Sequence, residues 1–213
     1  MRRLEGIYAL CDNSLNPARG HLELAKALLE GGAPILQLRM KGEKDSAKIR
    51  RTAGAILELK SDYEFIFLLN DFVEIGRELP VDGVHVGQDD LAVEKARELL
   101  GPGKLIGYSS HSPAEAREAE RRGADYVALG AVYPTATKGP GHPIQGLAKL
   151  KEVVAALSVP VVAIGGINRS NIGEVAQSGA AMAAMIGALT LAPNVAAETR
   201  WFVEEFERRR AKS

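Results

Sequence analysis

Short apolar runs alternate with amphipathic stretches along the whole chain, about eight times in 213 residues. The apolar runs are Gly6–Cys11, Ala33–Leu36, Glu64–Leu69, Gly83–Gly87, Leu105–Tyr108, Ala124–Leu129, Val159–Ile164 and Ala181–Ile186. Each is too short for a helix and apolar at neighbouring positions, the pattern of a parallel strand buried on both faces. Between them lie stretches with helical spacing. Leu22, Ala25 and Leu29 follow a start at Asn16-Pro17, and Ile49, Ala53, Ile56 and Leu57 follow Asp45-Ser46. Others run through Leu79, over Ala92–Leu100, over Leu147–Leu157 and over Asn171–Gln177. Ser112-Pro113 with Glu115 reads as a capping box with proline in the first turn. The last helix carries Val195, Thr199, Phe202 and Phe206 on one stripe.

Three helices share one form of punctuation: Gly32-Ala33, Gly123-Ala124 and Gly179-Ala180. A glycine there takes the left-handed cap, and a strand starts at once. Ala181–Ile186 is Ala-rich and suits a helix as well as a strand; the alternation assigns it to a strand. Strand–helix alternation specifies a parallel sheet with crossover helices. Eight units favour closure over an open sheet, so the expected fold is α/β, a single (β/α)8 TIM barrel over residues 1–213.

Composition narrows the function. Lys plus Arg and Asp plus Glu both number 27, so no net charge points to nucleic acid. A single cysteine, Cys11, permits no intrachain disulfide and fits a reducing compartment; it reads as a packed strand residue in preference to a nucleophile. The apolar run after Met1-Arg2-Arg3 is too short for a signal peptide, and no segment approaches the roughly 20 residues of a membrane span. The expectation is a cytoplasmic protein with small-molecule, phosphorylated substrates and neither nucleic acid nor membrane as partner. A homo-oligomer is compatible with it.

Polar residues gather just past the strand ends: Asp12, then Gln37, Arg39 and Lys41, then Asn70 and Asp71. Gln88, Asp90, Ser109, His111, Thr135, Thr137, Lys138 and Gly165-Gly166 continue the series. The strand starts are plainer. In a TIM barrel the strand C-termini form the active face. In Gln37-Leu38-Arg39-Met40-Lys41 the odd positions share one face of the strand, and two cations there are costly to bury unless they meet an anion. Arg and Lys are the usual phosphate ligands; a solvated edge strand is the plain alternative. Asp71 and Asp90 end neighbouring strands, beside Asn70 and Asp89, and are hard oxygen ligands suited to Mg²⁺. Asp89 or Asp90 capping a helix at Leu91 is the alternative. Gly165-Gly166 and Gly187 sit where barrels commonly bind phosphate on backbone N–H groups, although tight turns alone also use such glycines. His85 is mid-strand and reads equally as a core or a functional residue, whereas His111 lies past a strand end as an acid/base or a capping group. No Cys/His spacing suits zinc, and no dinucleotide, phosphate-loop or nucleophile-elbow motif is present.

Taken in order, seven stretches resemble thiamine-phosphate synthases along nearly the whole chain. They are Gln37–Lys41, Asn70-Asp71, Asp82–Asp90, Ile106–Ser109, Gly123–Tyr126, Tyr133–Lys138 and Ala163–Ile167. The resemblance implies a Mg²⁺-dependent transferase of thiamine biosynthesis. It would join hydroxymethylpyrimidine diphosphate to a thiazole phosphate or its carboxylated form, release pyrophosphate, and pass through a pyrimidine carbocation. It implies Gln37, Leu38, Arg39, Met40, Lys41, Asn70, Ser109 and Lys138 for the pyrimidine diphosphate, with Lys138, Ser109 and Arg39 catalytic. Thr135, Ala136, Thr137, Gly166, Ile186 and Gly187 would bind the thiazole phosphate, and Asp71 and Asp90 the metal. The chain departs from the usual pattern at Phe72, where Arg is common, at Ala131 in place of Pro, at Gly187 in place of Ser, and at Leu10-Cys11-Asp12. The nearest rival is the thiazole tautomerase, a relative on the same barrel that uses a His near position 111 and typically lacks the paired aspartates. A non-catalytic phosphate-binding barrel and a sugar-phosphate enzyme are the others.

Overall fold

A computed structural model describes residues 3–135 and 143–211. The strands are β1 (Gly6–Cys11), β2 (Ile35–Leu38), β3 (Ile66–Asn70), β4 (Gly83–Val86), β5 (Leu105–Ser110), β6 (Tyr126–Gly130), β7 (Val161–Ile164) and β8 (Met182–Met185). They close in sequence order, β1 pairing with both β2 and β8, and every ladder is parallel. The Ala-rich run is therefore a strand. Its small side chains suit a site with β1 and β7 on either side and leave room inside the barrel.

The helices are α1 (His21–Glu30), α2 (Ser46–Glu58), α3 (Val73–Glu78), α4 (Val93–Leu100), α5 (Pro113–Arg121), α6 (Gly146–Ala156), α7 (Ile172–Ala176), α8 (Gly187–Thr190) and α9 (Val195–Arg210). Asp45 caps α2 through Ala47 and Lys48 N–H, and Ser112 caps α5 through Glu115 N–H. The box at Ser112 closes one residue early: Glu115 Oε2 accepts from His111 N–H at 2.8 Å, which ties the end of β5 to the helix. Gly32, Gly123 and Gly179 all have positive φ, as the punctuation requires. Behind Gly32 the Ala33 N–H reaches back to Leu28 O, and behind Gly123 the Ala124 N–H reaches Ala119 O, so the cap also starts the next strand.

One helix start differs from the sequence reading. Asn16-Pro17 lies in a turn, α1 begins at His21, and Leu22 is exposed while Leu24 and Leu28 face the core. The short α8 carries no apolar period of its own, and nothing in the sequence marks it.

Two apolar layers follow from the alternation of side chains. Tyr8, Leu10, Ile35, Ile66, Leu68, Tyr126, Ala128, Val162, Met182 and Ala184 fill the barrel. Ile7, Ala9, Leu36, Leu38, Leu69, Val84 and their neighbours pack outward against the helices. Within that outer layer Val195, Thr199, Phe202 and Phe206 of α9 are buried.

The strand starts are less plain than the sequence suggests. Asp82 Oδ2 accepts from Phe67 N–H at 2.7 Å and from Lys60 Nζ. Asp125 Oδ2 accepts from Ile106 N–H and from Arg97 Nη2, each at 2.6 Å. Each carboxylate, just ahead of its own strand, satisfies an N–H of an earlier strand that the ladder leaves open and is itself held by a cation. These aspartates serve stability at the end of the barrel away from the polar cluster. Asp125→Ala should therefore lower the unfolding free energy by about 1–3 kcal/mol, the cost of a stranded N–H and cation, read as a shift of the urea midpoint.

Candidate active site

The polar residues at the strand C-termini line a cavity of about 430 Å³ at the mouth of the barrel. Gln37 and Arg39 follow the inward parity of β2, Asn70 that of β3 and Ser109 that of β5; with Lys41, Asp71, Asp90 and Ile186 they all line it. Leu38 and Met40 do not. Both are buried in the outer apolar layer, because their parity is opposite to that of Gln37 and Arg39. Their side chains hold the strand from behind, so a contact with substrate at these two positions is one of backbone.

Arg39 Nη1 is paired with Asp12, which is buried at the end of β1. Burial works to raise the Asp12 carboxyl, but the Ser14 N–H at 2.8 Å and Arg39 outweigh it and hold the group below its usual range. The pair fixes the guanidinium fork at the cavity wall.

Asp71 and Asp90 meet across the ends of β3 and β4. Burial and the adjacent Asp90, which is hydrogen-bonded to it, push the Asp71 carboxyl up to about 6, against the opposing pull of Lys41 and Arg39. Asp71 is the one described non-glycine residue with positive φ, at 68°. Its N–H is bonded to His85 O and its O accepts from Val73 N–H, which tie it into the turn onto α3. Asp90 Oδ2 accepts from Gly87 N–H at 2.7 Å. Helix α4 begins later, at Val93 behind Ala92, with no side-chain cap. The capping alternative for Asp89 and Asp90 thus falls away. Two carboxylates driven to share a proton are the donor set a hard divalent cation would separate and neutralise. No group of three His, Cys, Asp or Glu ligands exists among the described residues. The pair therefore fits an ion completed by water and ligand oxygens, the habit of Mg²⁺.

Thr135, Gly166 and Gly187 follow β6, β7 and β8 but are not among the residues lining this cavity. At Gly166, φ is 70° and an added Cβ would lie 2.4 Å from Pro134 O, so the loop after β6 packs directly on it. At Gly187 the nearest atom to an added Cβ is Leu15 Cδ1 at 3.4 Å. Ala136, Thr137 and Lys138 lie outside the described residues. Phe72, where the usual pattern has Arg, packs against the outer apolar layer.

Several lining residues escape a reading by polar type: Tyr8, Leu10, Ala128, Val162, Ile164 and Ala184; His85, which reads equally as core or functional, lines it too. Strand parity was the available signal, since Tyr8 and Leu10 share the face of Asp12. His111 lines the cavity with its Nδ1 3.0 Å from Gln88 Oε1. Cys11 is buried, its Sγ donates to His21 O, and burial followed by the nearby Asp12 raises its thiol far above the usual range, so it is no nucleophile.

Among protein families, the model described as thiamine monophosphate synthase matches residues 7–189. The chain belongs to this family. A thiamine-phosphate synthase of Lawsonia intracellularis is 41% identical over 189 residues, covering 89% of this chain and 87% of that protein. A probable bifunctional thiamine biosynthetic enzyme of Oryza sativa is 43% identical over 199 residues, but the chain spans only 36% of its length. The solved thiamine phosphate pyrophosphorylase of Pyrococcus furiosus superimposes with a TM-score of 0.89 at 33% identity, covering 98% of both chains. As a member of the thiamine monophosphate synthase family, the protein is a transferase of thiamine biosynthesis. No helix among the described residues is long and apolar enough to cross a membrane.

The carboxylate pair gives a pH-dependent signature with a definite sign. A carboxyl raised in the fold is protonated there at pH values where the unfolded chain has already lost its proton, so its share of stability falls as pH rises from about 4 through about 6. Asp90→Asn removes the repulsion and keeps an acceptor for Gly87 N–H. The expected result is a melting temperature a few degrees above the wild type at neutral pH and equal to it near pH 4, measured by calorimetry without divalent cation.

Proposed function

We infer that this barrel condenses hydroxymethylpyrimidine diphosphate with a thiazole phosphate to give thiamine phosphate and pyrophosphate; from the carboxylated thiazole the carboxylate also leaves as CO2, and its electron pair stays on the ring carbon, which takes up a proton. The observation that carries the reading is the meeting of Arg39 and Lys41, just past β2, with Asp71 and Asp90, in the loops after β3 and β4, around one cavity. Cations opposed to a carboxylate pair suit a diphosphate bridged to a divalent ion and suit neither a neutral ligand nor a monoanion.

Asp71 and Asp90 would hold Mg²⁺, which supplies charge neutralisation of the departing pyrophosphate. Arg39, oriented by Asp12, and Lys41 stabilise the same developing charge, joined by Lys138 on the family resemblance. Gln37, Asn70 and Ser109 seat the pyrimidine. The electron-rich aminopyrimidine supports a cation at its methylene carbon, so the C–O bond breaks before the thiazole nitrogen attacks. The electron pair of that bond leaves with pyrophosphate, and the nitrogen lone pair forms the new C–N bond. No protein nucleophile takes part, consistent with the inert Cys11. The apolar wall of Leu10, Val162, Ile164 and Ile186 limits water at the cation. Thr135, Ala136, Thr137, Gly166, Ile186 and Gly187 are proposed for the thiazole phosphate. Gly187 offers its N–H where relatives add a hydroxyl.

The purified protein should release pyrophosphate only when given both substrates and Mg²⁺. Asp90→Ala should abolish that turnover with the fold intact, and unchanged turnover would remove the metal assignment. Arg39→Ala should lower kcat roughly 100-fold or more, the scale of one lost donor to developing charge. Isomerisation of the thiazole phosphate alone, lost in His111→Ala, would mean the tautomerase instead.

A further inference from the structure

Along the cavity floor runs a chain of hydrogen bonds whose three middle members, Tyr8, Tyr126 and His85, the reaction above does not use. Gln37 Nε2 donates to Tyr8 Oη at 2.7 Å. Tyr8 Oη lies 2.9 Å from Tyr126 Oη, and Tyr126 Oη lies 3.1 Å from His85 Nδ1. His85 Nε2 lies 2.8 Å from Ser109 Oγ. The chain crosses the barrel through β2, β1, β6, β4 and β5, and all its members but Tyr126 line the cavity, with Gln37 and Ser109 at its two ends. The fold makes space for it: a Cβ on Gly107 would lie 2.0 Å from the Tyr126 ring, so the glycine is what admits the tyrosine.

The chain has a direction. Each hydroxyl has a single hydrogen to give. Burial raises both phenols far above their usual range, so they stay protonated. With the Gln37 nitrogen on Tyr8, the Tyr8 hydroxyl must donate to Tyr126, and Tyr126 to His85 Nδ1, or a buried hydrogen is stranded. His85 then carries its proton on Nε2 and donates to Ser109, whose own hydrogen is left for the cavity. At the other end Gln37, only 2% exposed, has an Oε1 with no partner among the described residues.

We propose that Tyr8, Tyr126 and His85 are positioning residues that set the hydrogen-bond polarity at two points of the substrate site, making Gln37 Oε1 an acceptor and Ser109 Oγ a donor. A ligand heterocycle must then offer an N–H to Gln37 and a lone-pair nitrogen to Ser109, as the amino group and ring nitrogens of an aminopyrimidine do. The choice of ligand rests on the function proposed above; the polarity of the chain does not.

The test is the tautomer of His85 in the full, ligand-free protein, read from long-range ¹H–¹⁵N spectra of histidine-labelled material. The Nε2–H pattern is expected, and the Nδ1–H pattern in the wild type would overturn the proposal. Tyr126→Phe should shift His85 away from the pure Nε2–H pattern. It should also lower kcat/KM for the pyrimidine diphosphate roughly tenfold, the scale of one neutral hydrogen bond, while leaving KM for the thiazole phosphate in place. A folded Tyr126→Phe protein with unchanged tautomer and kinetics would also overturn it. If that variant does not fold, the wild-type spectrum alone decides. The Nε2–H pattern in a protein that shows no pyrophosphate release would support the chain and remove the function.

Discussion

Closure of the parallel strands into a barrel is the constraint on which everything else rests. A closed sheet has one inside, and each strand gives every second side chain to it. Once β1 pairs with β8, the parity of each strand is fixed, and with it the fate of every residue in the site. Gln37 and Arg39 enter the cavity while Leu38 and Met40 face the helices. The same parity stacks apolar residues low in the barrel and polar ones at its mouth. The small residues Gly107, Ala128 and Ala184 leave the interior open enough for a cavity and for a tyrosine pair at its floor.

The two ends of the barrel use carboxylates in opposite ways. At the strand starts, Asp82 and Asp125 are each matched to a cation and a strand N–H, which makes them structural. At the strand ends, Asp71 and Asp90 are set against each other, which raises the cost of charging both. Asp12 lies between these cases: it is buried and paired, and it aims Arg39 into the cavity instead of holding the fold alone. One side chain thus serves three ends according to its neighbours.

Much of this was legible in the sequence where local chemistry dictates it. The glycine punctuation, the caps at Asp45 and Ser112 and the stripe of α9 all formed as read, because each depends on residues within a turn of one another. The polar cluster was legible because burying Gln37, Arg39 or Asp71 without a purpose is costly. What escaped was α8, too short to show a period; the start of α1, where a turn at Asn16–Arg19 replaces a first helical turn; and the apolar half of the cavity wall, whose residues look like any core.

The sequence by itself determined the order of the elements, the fold class, and the set of polar groups that would face one end, since these follow from period, propensity and the cost of burying charge. Only the tertiary structure decided which of those groups touch. Asp12 is 27 residues from Arg39, and Tyr8 is 118 from Tyr126. Contacts at such separations depend on the shear and closure of the barrel, which no local window encodes. The same holds for the direction of the hydrogen bonds from Gln37 to Ser109: it arises only when five strands bring five side chains into one line, and each hydrogen must find an acceptor.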